Sequence, residues 1–223
     1  MLYLYAITDA GKTLPPVRGI AGAAIGEIVQ RELAAVYSVH ADGEMTATED
    51  TLWQHEQVAE ALMDDRAVLP VRFGVVFRDE AAVAAELERR HGSLSASLDR
   101  VRGRVELGVR VLRPDAQPAR AVPAGRETTG RSYLTARLER LRSARAVAEE
   151  LERELGPFAV ASTRRVLDTP RLLVSSAYLV DRDQVGAFRE QVDQLTAVHD
   201  DLSFLCTGPW PAYSFVGQAA ETE

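Results

Sequence analysis

The stretch AVASTRRVLDTPRLLVSSAYLV, residues 159–180, decides the fold of the second half of the chain. Asp168-Thr169-Pro170 is a turn signal: proline fixes φ, and the Asp and Thr side chains can bond to the local backbone. The runs on either side, Ala159 to Leu167 and Leu172 to Val180, are rich in Val, Leu, Thr and Tyr and read as a strand pair. Upstream, Leu134, Leu138, Leu141, Ala148, Leu151 and Leu155 recur on one helical stripe that Gly156-Pro157 stops. Downstream, Asp183 can cap a helix whose apolar face is Val185, Phe188, Val192 and Leu195. Further out, Val105 to Leu112 alternates as a strand, and Leu202 to Cys206 supplies the last one.

The resulting order is βαββαβ, the ferredoxin-like arrangement in which two helices cover one face of a four-stranded antiparallel sheet. Leu138 and Val192 are then expected in the core, one from each helix. The leucine stripe could instead serve a coiled coil, but it spans only about three heptads and has a sheet beside it to cover.

The first half is less regular. Residues 2–8 read as a strand, followed by a Gly/Pro-rich turn over 11–22 and a strand pair, Ile25 to Val29 and Leu33 to Val39. Thr46-x-x-Glu49 is a capping box, with Thr48 as an alternative cap, for a helix carrying Leu52, His55, Val58, Ala59 and Leu62 and ending near Asp65. Val68 to Phe77 reads as one buried strand with Pro70 near its start and a bulge at Gly74. Two short helices, Ala81 to Arg90 and Leu94 to Arg102, are broken at Gly92. Pro114, Pro118, Pro123, Gly125 and Gly130 mark an irregular connection. The expected class is α+β in two domains: an N-terminal α+β domain over 1–102, and a C-terminal ferredoxin-like domain over 103–223 ending in an aromatic strap.

That strap is TGPWPAYSFV, Thr207 to Val216. Pro209 and Pro211 remove backbone donors, so the strap is expected to leave the sheet after Cys206 and run extended. Burial of Trp210 and Phe215 against the protein's own sheet or domain seam is expected to hold it, each such side chain being worth roughly 1.5–3 kcal/mol.

Composition narrows the chemistry. The chain has 223 residues, 46% of them hydrophobic, enough for packed cores. Its net charge of −7 argues against binding that depends on neutralising phosphates. No run approaches the length of a membrane span and the N-terminus lacks a leader pattern, so a cytoplasmic location is expected. The single Cys206 cannot form an intrachain disulfide. His55-Glu56 opens like a zinc-protease helix, but Ala59 stands where the second ligand belongs. His40, His91 and His199 are scattered, and no phosphate loop, dinucleotide fingerprint or nucleophile elbow is present. No catalytic residue, metal ligand or cofactor is therefore expected. Arg72, inside an otherwise apolar stretch, should either pair, with Glu106 as one candidate, or face solvent.

Five segments in order carry a resemblance: Met1-Leu2-Tyr3-Leu4-Tyr5-Ala6-Ile7-Thr8, Val68 to Phe77, Gly103 to Val111, Ala177-Tyr178-Leu179-Val180-Asp181, and Thr207 to Val216. Together they are similar to the gas vesicle protein F/L family over essentially the whole chain. The resemblance implies two α+β domains, the second a modified ferredoxin fold, and a non-catalytic role in gas vesicle assembly. It implies the main shell protein and other accessory gas vesicle proteins as partners, and a location at the gas vesicle. Arg72, Phe73, Trp210, Tyr213 and Phe215 are the structural or partner-binding candidates, and an apolar or arginine-bearing surface is expected to meet the shell protein. Two other classes compete: a ferredoxin-like small-molecule sensor, which needs a pocket, and a sheet-face RNA binder, for which only Tyr178 offers a stacking aromatic.

Overall fold

The computed structural model describes residues 1–41, 45–114 and 130–216. It is a mixed α+β fold with two antiparallel sheets, and the chain divides into two compact units, Met1–Val105 with Trp210–Glu223, and Glu106–Pro209.

In the first unit, β1 (Leu2–Asp9) is central and buried along nearly its whole length, which requires cover on both faces. One edge pairs antiparallel with β3 (Leu33–Val39), which pairs in turn with β2 (Ile25–Gln30). The other edge takes β4 (Val68–Pro70) and β5 (Val76–Phe77). The expected single strand over 68–77 is thus two short ones. Pro70 ends the first, and Gly74, at φ 90°, takes a left-handed turn that a side chain would strain. The chain still clings to β1 between them through Val71 N–H to Tyr5 O, 2.9 Å, and Leu4 N–H to Val75 O, 3.0 Å.

Helix α1 (Glu49–Leu62) is capped by Thr48, whose hydroxyl accepts from Thr51 N–H at 3.2 Å, while Thr51 Oγ1 accepts from Thr48 N–H at 2.9 Å. Of the two caps read from sequence, Thr48 is the one used. His55, Val58, Ala59 and Leu62 form its buried stripe, and Val58 and Leu62 share a core with Tyr3, Tyr5, Ala6, Ile20, Val36 and Val68. Helices α2 (Glu80–Arg89) and α3 (His91–Val101) bury Val83, Leu87, Leu94, Leu98 and Val101. The break between them falls at Arg90, and Gly92 lies inside the first turn of α3. Glycine is poor in a helix interior but tolerable in a first turn, where Asp79 and Arg90 already set the two starts.

The second unit takes the element order expected of it. β6 (Arg104–Leu112) is followed by α4 (Gly130–Leu155), the hairpin β7 (Ala161–Val166) and β8 (Leu172–Asp181), α5 (Val185–Val198) and β9 (Ser203–Trp210). The sheet order is β7-β8-β6-β9, with β7 and β8 antiparallel from Ala161 opposite Leu179 to Val166 opposite Val174. The alternating Leu107, Val109 and Val111 of β6 meet Ala144, Val147, Ala148, Leu151 and Leu155 of α4 and Phe188, Val192 and Leu195 of α5 in one core. The proline-rich connection, at Pro118, Pro123 and Gly125, lies outside the described residues.

Three expectations for this unit need correction. Leu138 is not a core residue: Leu134 and Leu138 are 55% and 54% exposed, and among the described side chains of α4 the first buried one is Ala144. A helix of 26 residues is about 39 Å long, whereas strands of 6 to 10 residues run about 20–33 Å, so the N-terminal turns overshoot the sheet. Val192 is buried as expected. Second, Asp183 makes no side-chain cap; a single 3-10 turn, Arg182–Gln184, leads into α5 and Gln184 is the cap residue. Third, the chain does not leave the sheet after Cys206, because β9 continues through Pro209 to Trp210. β9 is an edge strand, where a missing N–H costs no ladder bond.

Candidate functional site

The first unit contains a cavity of about 280 Å³. Tyr3, Tyr5 and Ala6 of β1 belong to the core under α1, and the register shift between Leu4 and Ala6 breaks the alternation there, so Leu4 and Ile7 both reach the opposite face. There they line the cavity with Leu69 and Pro70 of β4, Val71, Val75 and Phe77, Val83 and Leu87 of α2, and Leu94 of α3. Tyr213 and Val216 of the tail complete the wall. The polar lining is Arg72, Glu86 and Arg90. Glu86 is engaged by Arg89 at 2.6 Å and Arg90 at 3.8 Å. Arg72 is exposed and makes no ion pair within the described part of its unit. The arrangement is an apolar hollow with a cationic rim.

Behind this face lies a buried polar chain that sequence reasoning missed. His55 is 3% exposed, and its Nε2 lies 2.9 Å from Val71 O. A carbonyl only accepts, so Nε2 carries the proton and Nδ1 accepts from the Tyr3 hydroxyl at 2.9 Å. Tyr3 Oη in turn accepts from Gly74 N–H at 3.3 Å, which ties β1, α1 and the glycine turn together. Tyr5 Oη accepts from Ile20 N–H at 2.8 Å and bonds Ser38 Oγ at 2.6 Å, which reaches His40 Nε2 at 2.7 Å. Burial pushes the Tyr3 hydroxyl up to about 12 and the His55 imidazole below its ordinary value. His40 is lowered by burial and by the nearby N-terminal amine. Two tyrosines in an otherwise aliphatic strand were the available signal, because a buried phenol needs a partner. His55 is thus held by Tyr3 and Val71.

The five candidates separate. Arg72 and Tyr213 meet at the cavity. Phe73 turns to the other side, where its ring centroid lies 5.7 Å from Tyr3 and 5.9 Å from His55. Phe215 is 1% exposed and sits in the 3-10 turn Tyr213–Phe215, and Trp210, the last residue of β9, is only half-buried. The tail is fixed by a contact no sequence pattern announced: Tyr213 donates its hydroxyl to Glu56 Oε2 of α1 at 2.8 Å. Burial and then the Glu56 charge push the Tyr213 hydroxyl far above its usual value, so it stays a donor. This contact lies within the first unit, with which residues 210–216 group.

Among the described residues, no group of three or more His, Cys, Asp or Glu is placed to hold a metal ion, and no helix is long and apolar enough to cross a membrane. The Cys206 thiol is raised by burial and is a poor nucleophile at neutral pH. Tyr178 is buried against Phe188, at 5.2 Å between centroids, and presents no stacking face.

These features define a mixed α+β protein whose conspicuous surface is an apolar hollow rimmed by arginine. The model of the gas vesicle synthesis protein GvpL/GvpF family matches residues 1–217. Gas vesicle protein F2 of Halobacterium salinarum is 34% identical over 220 residues, covering 96% of this chain and 91% of the relative. Gas vesicle protein L of Streptomyces sp. is 33% identical over 251 residues, covering 98% and 94%. The crystal structure of gas vesicle protein GvpF from Anabaena sp. PCC7120 superposes with a TM-score of 0.83 at 20% identity, covering 96% of this chain and 95% of that one, and so speaks to the fold. The chain belongs to the GvpL/GvpF family of gas vesicle proteins.

Proposed function

We propose that this chain is a non-catalytic assembly protein of the gas vesicle that binds the main shell protein and other accessory gas vesicle proteins. The observation that carries the reading is the match to the GvpL/GvpF family along residues 1–217. The burial of His55, Tyr3 and Tyr5 in structural hydrogen bonds is consistent with it. The two units are taken as two domains meeting near residues 102–105, the second ferredoxin-like by its βαββαβ order and its β7-β8-β6-β9 sheet. The contact surface for the shell protein is centred on Arg72 and the apolar mouth beside it, since arginine next to buried aliphatic surface is what interface centres favour. The site of action is the gas vesicle in the cytoplasm, with no nucleic acid bound, in keeping with the net charge of −7.

Expressing the accompanying gas vesicle genes with and without this chain tests the reading. Vesicles should fail to form without it and return when it is supplied; full vesicle yield in its absence refutes the role. The cavity also favours a second reading, a ligand-responsive regulatory protein, since its volume of about 280 Å³ approaches the small-molecule range. A melting temperature that rises with a metabolite in the parent but not in Arg72→Ala would favour that reading.

A further inference from the structure

One flank of α1 carries exposed apolar side chains beside acidic ones. The inner stripe at His55, Val58, Ala59 and Leu62 is buried, and an amphipathic helix ordinarily places polar residues opposite it. Trp53 breaks that rule on the outer face, 57% exposed, and Leu52, 46% exposed at the edge of the inner stripe, lies beside it. They line a groove of about 600 Å³ together with Glu49, Asp50 and Glu56. Residues 49, 52, 53 and 56 stand at i, i+3, i+4 and i+7, the spacing by which one helix meets another, over about 10 Å of axis. Isolated exposed apolar residues are ordinary, but adjacent Leu and Trp flanking a groove make a patch.

The charged residues of α1 itself have one sign. The 14 residues of α1 contain no Lys or Arg, and Glu49 and Asp50 are exposed at the end of the groove. The only other basic-type side chain, His55, is buried with both ring nitrogens engaged. A partner must therefore offer aliphatic surface for Leu52 and Trp53 with positive charge beside it. Arginine or lysine over the indole face adds a cation–π contact, and tryptophan is the residue type most often found at the energetic centre of an interface. We propose that this flank of α1 docks a cationic amphipathic helix of a partner protein, with Trp53 as the anchor and Glu49 and Asp50 as the charge match. This surface is formed by other residues than the Arg72 cavity and does not depend on it.

The test uses the full chain and a fluorescently labelled synthetic leucine–lysine amphipathic helix as probe, with binding read by anisotropy at low and high salt. Trp53→Ala should weaken binding about tenfold or more with the parent's melting temperature kept, and the pair Glu49→Lys and Asp50→Lys should weaken it as much while staying folded, its melting temperature lowered only by the loss of two favourable first-turn charges. Reversing two exposed charges on α5, Glu190→Lys and Asp193→Lys, should change affinity little. The proposal is overturned if the probe does not bind, if Trp53→Ala binds it unchanged, or if the α5 reversal weakens it equally, which would mean attraction by net charge alone. A concentration-dependent dimer that Trp53→Ala dissolves would identify a second copy of the chain as the occupant and also overturn it.

Discussion

Replacing Phe215 by alanine tests how the tail is held. Its ring is 1% exposed within a 3-10 turn closed by Phe215 N–H to Ala212 O at 3.1 Å, and the neighbouring Tyr213 is pinned to Glu56 at 2.8 Å. Both fixings limit collapse of the tail into the vacated space, so the cost should sit in the usual range for a buried phenylalanine, about 3–5 kcal/mol. Against a total of roughly 5–15 kcal/mol this is a large loss. With a urea dependence of about 2 kcal/mol per molar, the midpoint should fall by about 2 M, read by far-UV circular dichroism. Tyr213→Phe keeps the ring and removes one hydrogen bond to a carboxylate, so it should cost about 1–2 kcal/mol. Trp210→Ala should fall below Phe215→Ala because Trp210 is only half-buried. A Phe215→Ala midpoint within about 0.3 M of the parent would refute the reasoning, since a ring truly packed in this tail cannot be removed that cheaply.

Leu138→Ala should change stability by no more than about 0.5 kcal/mol, while Leu151→Ala on the same helix should cost about 2–5, both read by urea unfolding. Gly19→Ala would set a methyl against Tyr5 Oη and 2.9 Å from its Cζ, and Tyr5 cannot retreat without losing Ile20 and Ser38; a loss of about 1–3 kcal/mol is expected. Acid should destabilise the first unit before its carboxylates titrate. His40 and His55 bind protons less readily folded than unfolded, so their contribution is complete above about pH 6.5 and is lost as pH falls from there towards their lowered folded values. Melting temperatures measured across that window should drop in the parent and drop less in His55→Gln relative to its own value at high pH.

What the sequence revealed depended on how local the deciding interaction was. The hairpin around Asp168-Thr169-Pro170, the face of α5 at Phe188, Val192 and Leu195, and the Thr48 cap rest on contacts within a few residues, and patterns of period 2 and 3.6 expose them. Leu134 and Leu138 continue the helical period faultlessly, yet periodicity reports which face a residue lies on, not whether the sheet extends that far. Pro209 argued against a strand because its position at an edge, where proline is harmless, is a property of the assembled sheet. At the candidate site Arg72 stood out as a charge in an apolar run, and Tyr213 as part of an aromatic tail, but their meeting at one cavity spans most of the chain. The bond from Tyr213 to Glu56, across 157 positions, has no local signature at all.

The claim that this chain is a gas vesicle assembly protein acting through an Arg72-centred surface is tested most directly by titrating purified shell protein onto the full chain and onto Arg72→Glu. The account predicts saturable binding by the parent and binding weakened about tenfold or more by the variant, about 1.4 kcal/mol, with the variant's melting temperature unchanged because Arg72 is exposed. Absence of binding by the parent would contradict the assembly role as stated, and equal binding by both proteins would contradict the assignment of the surface.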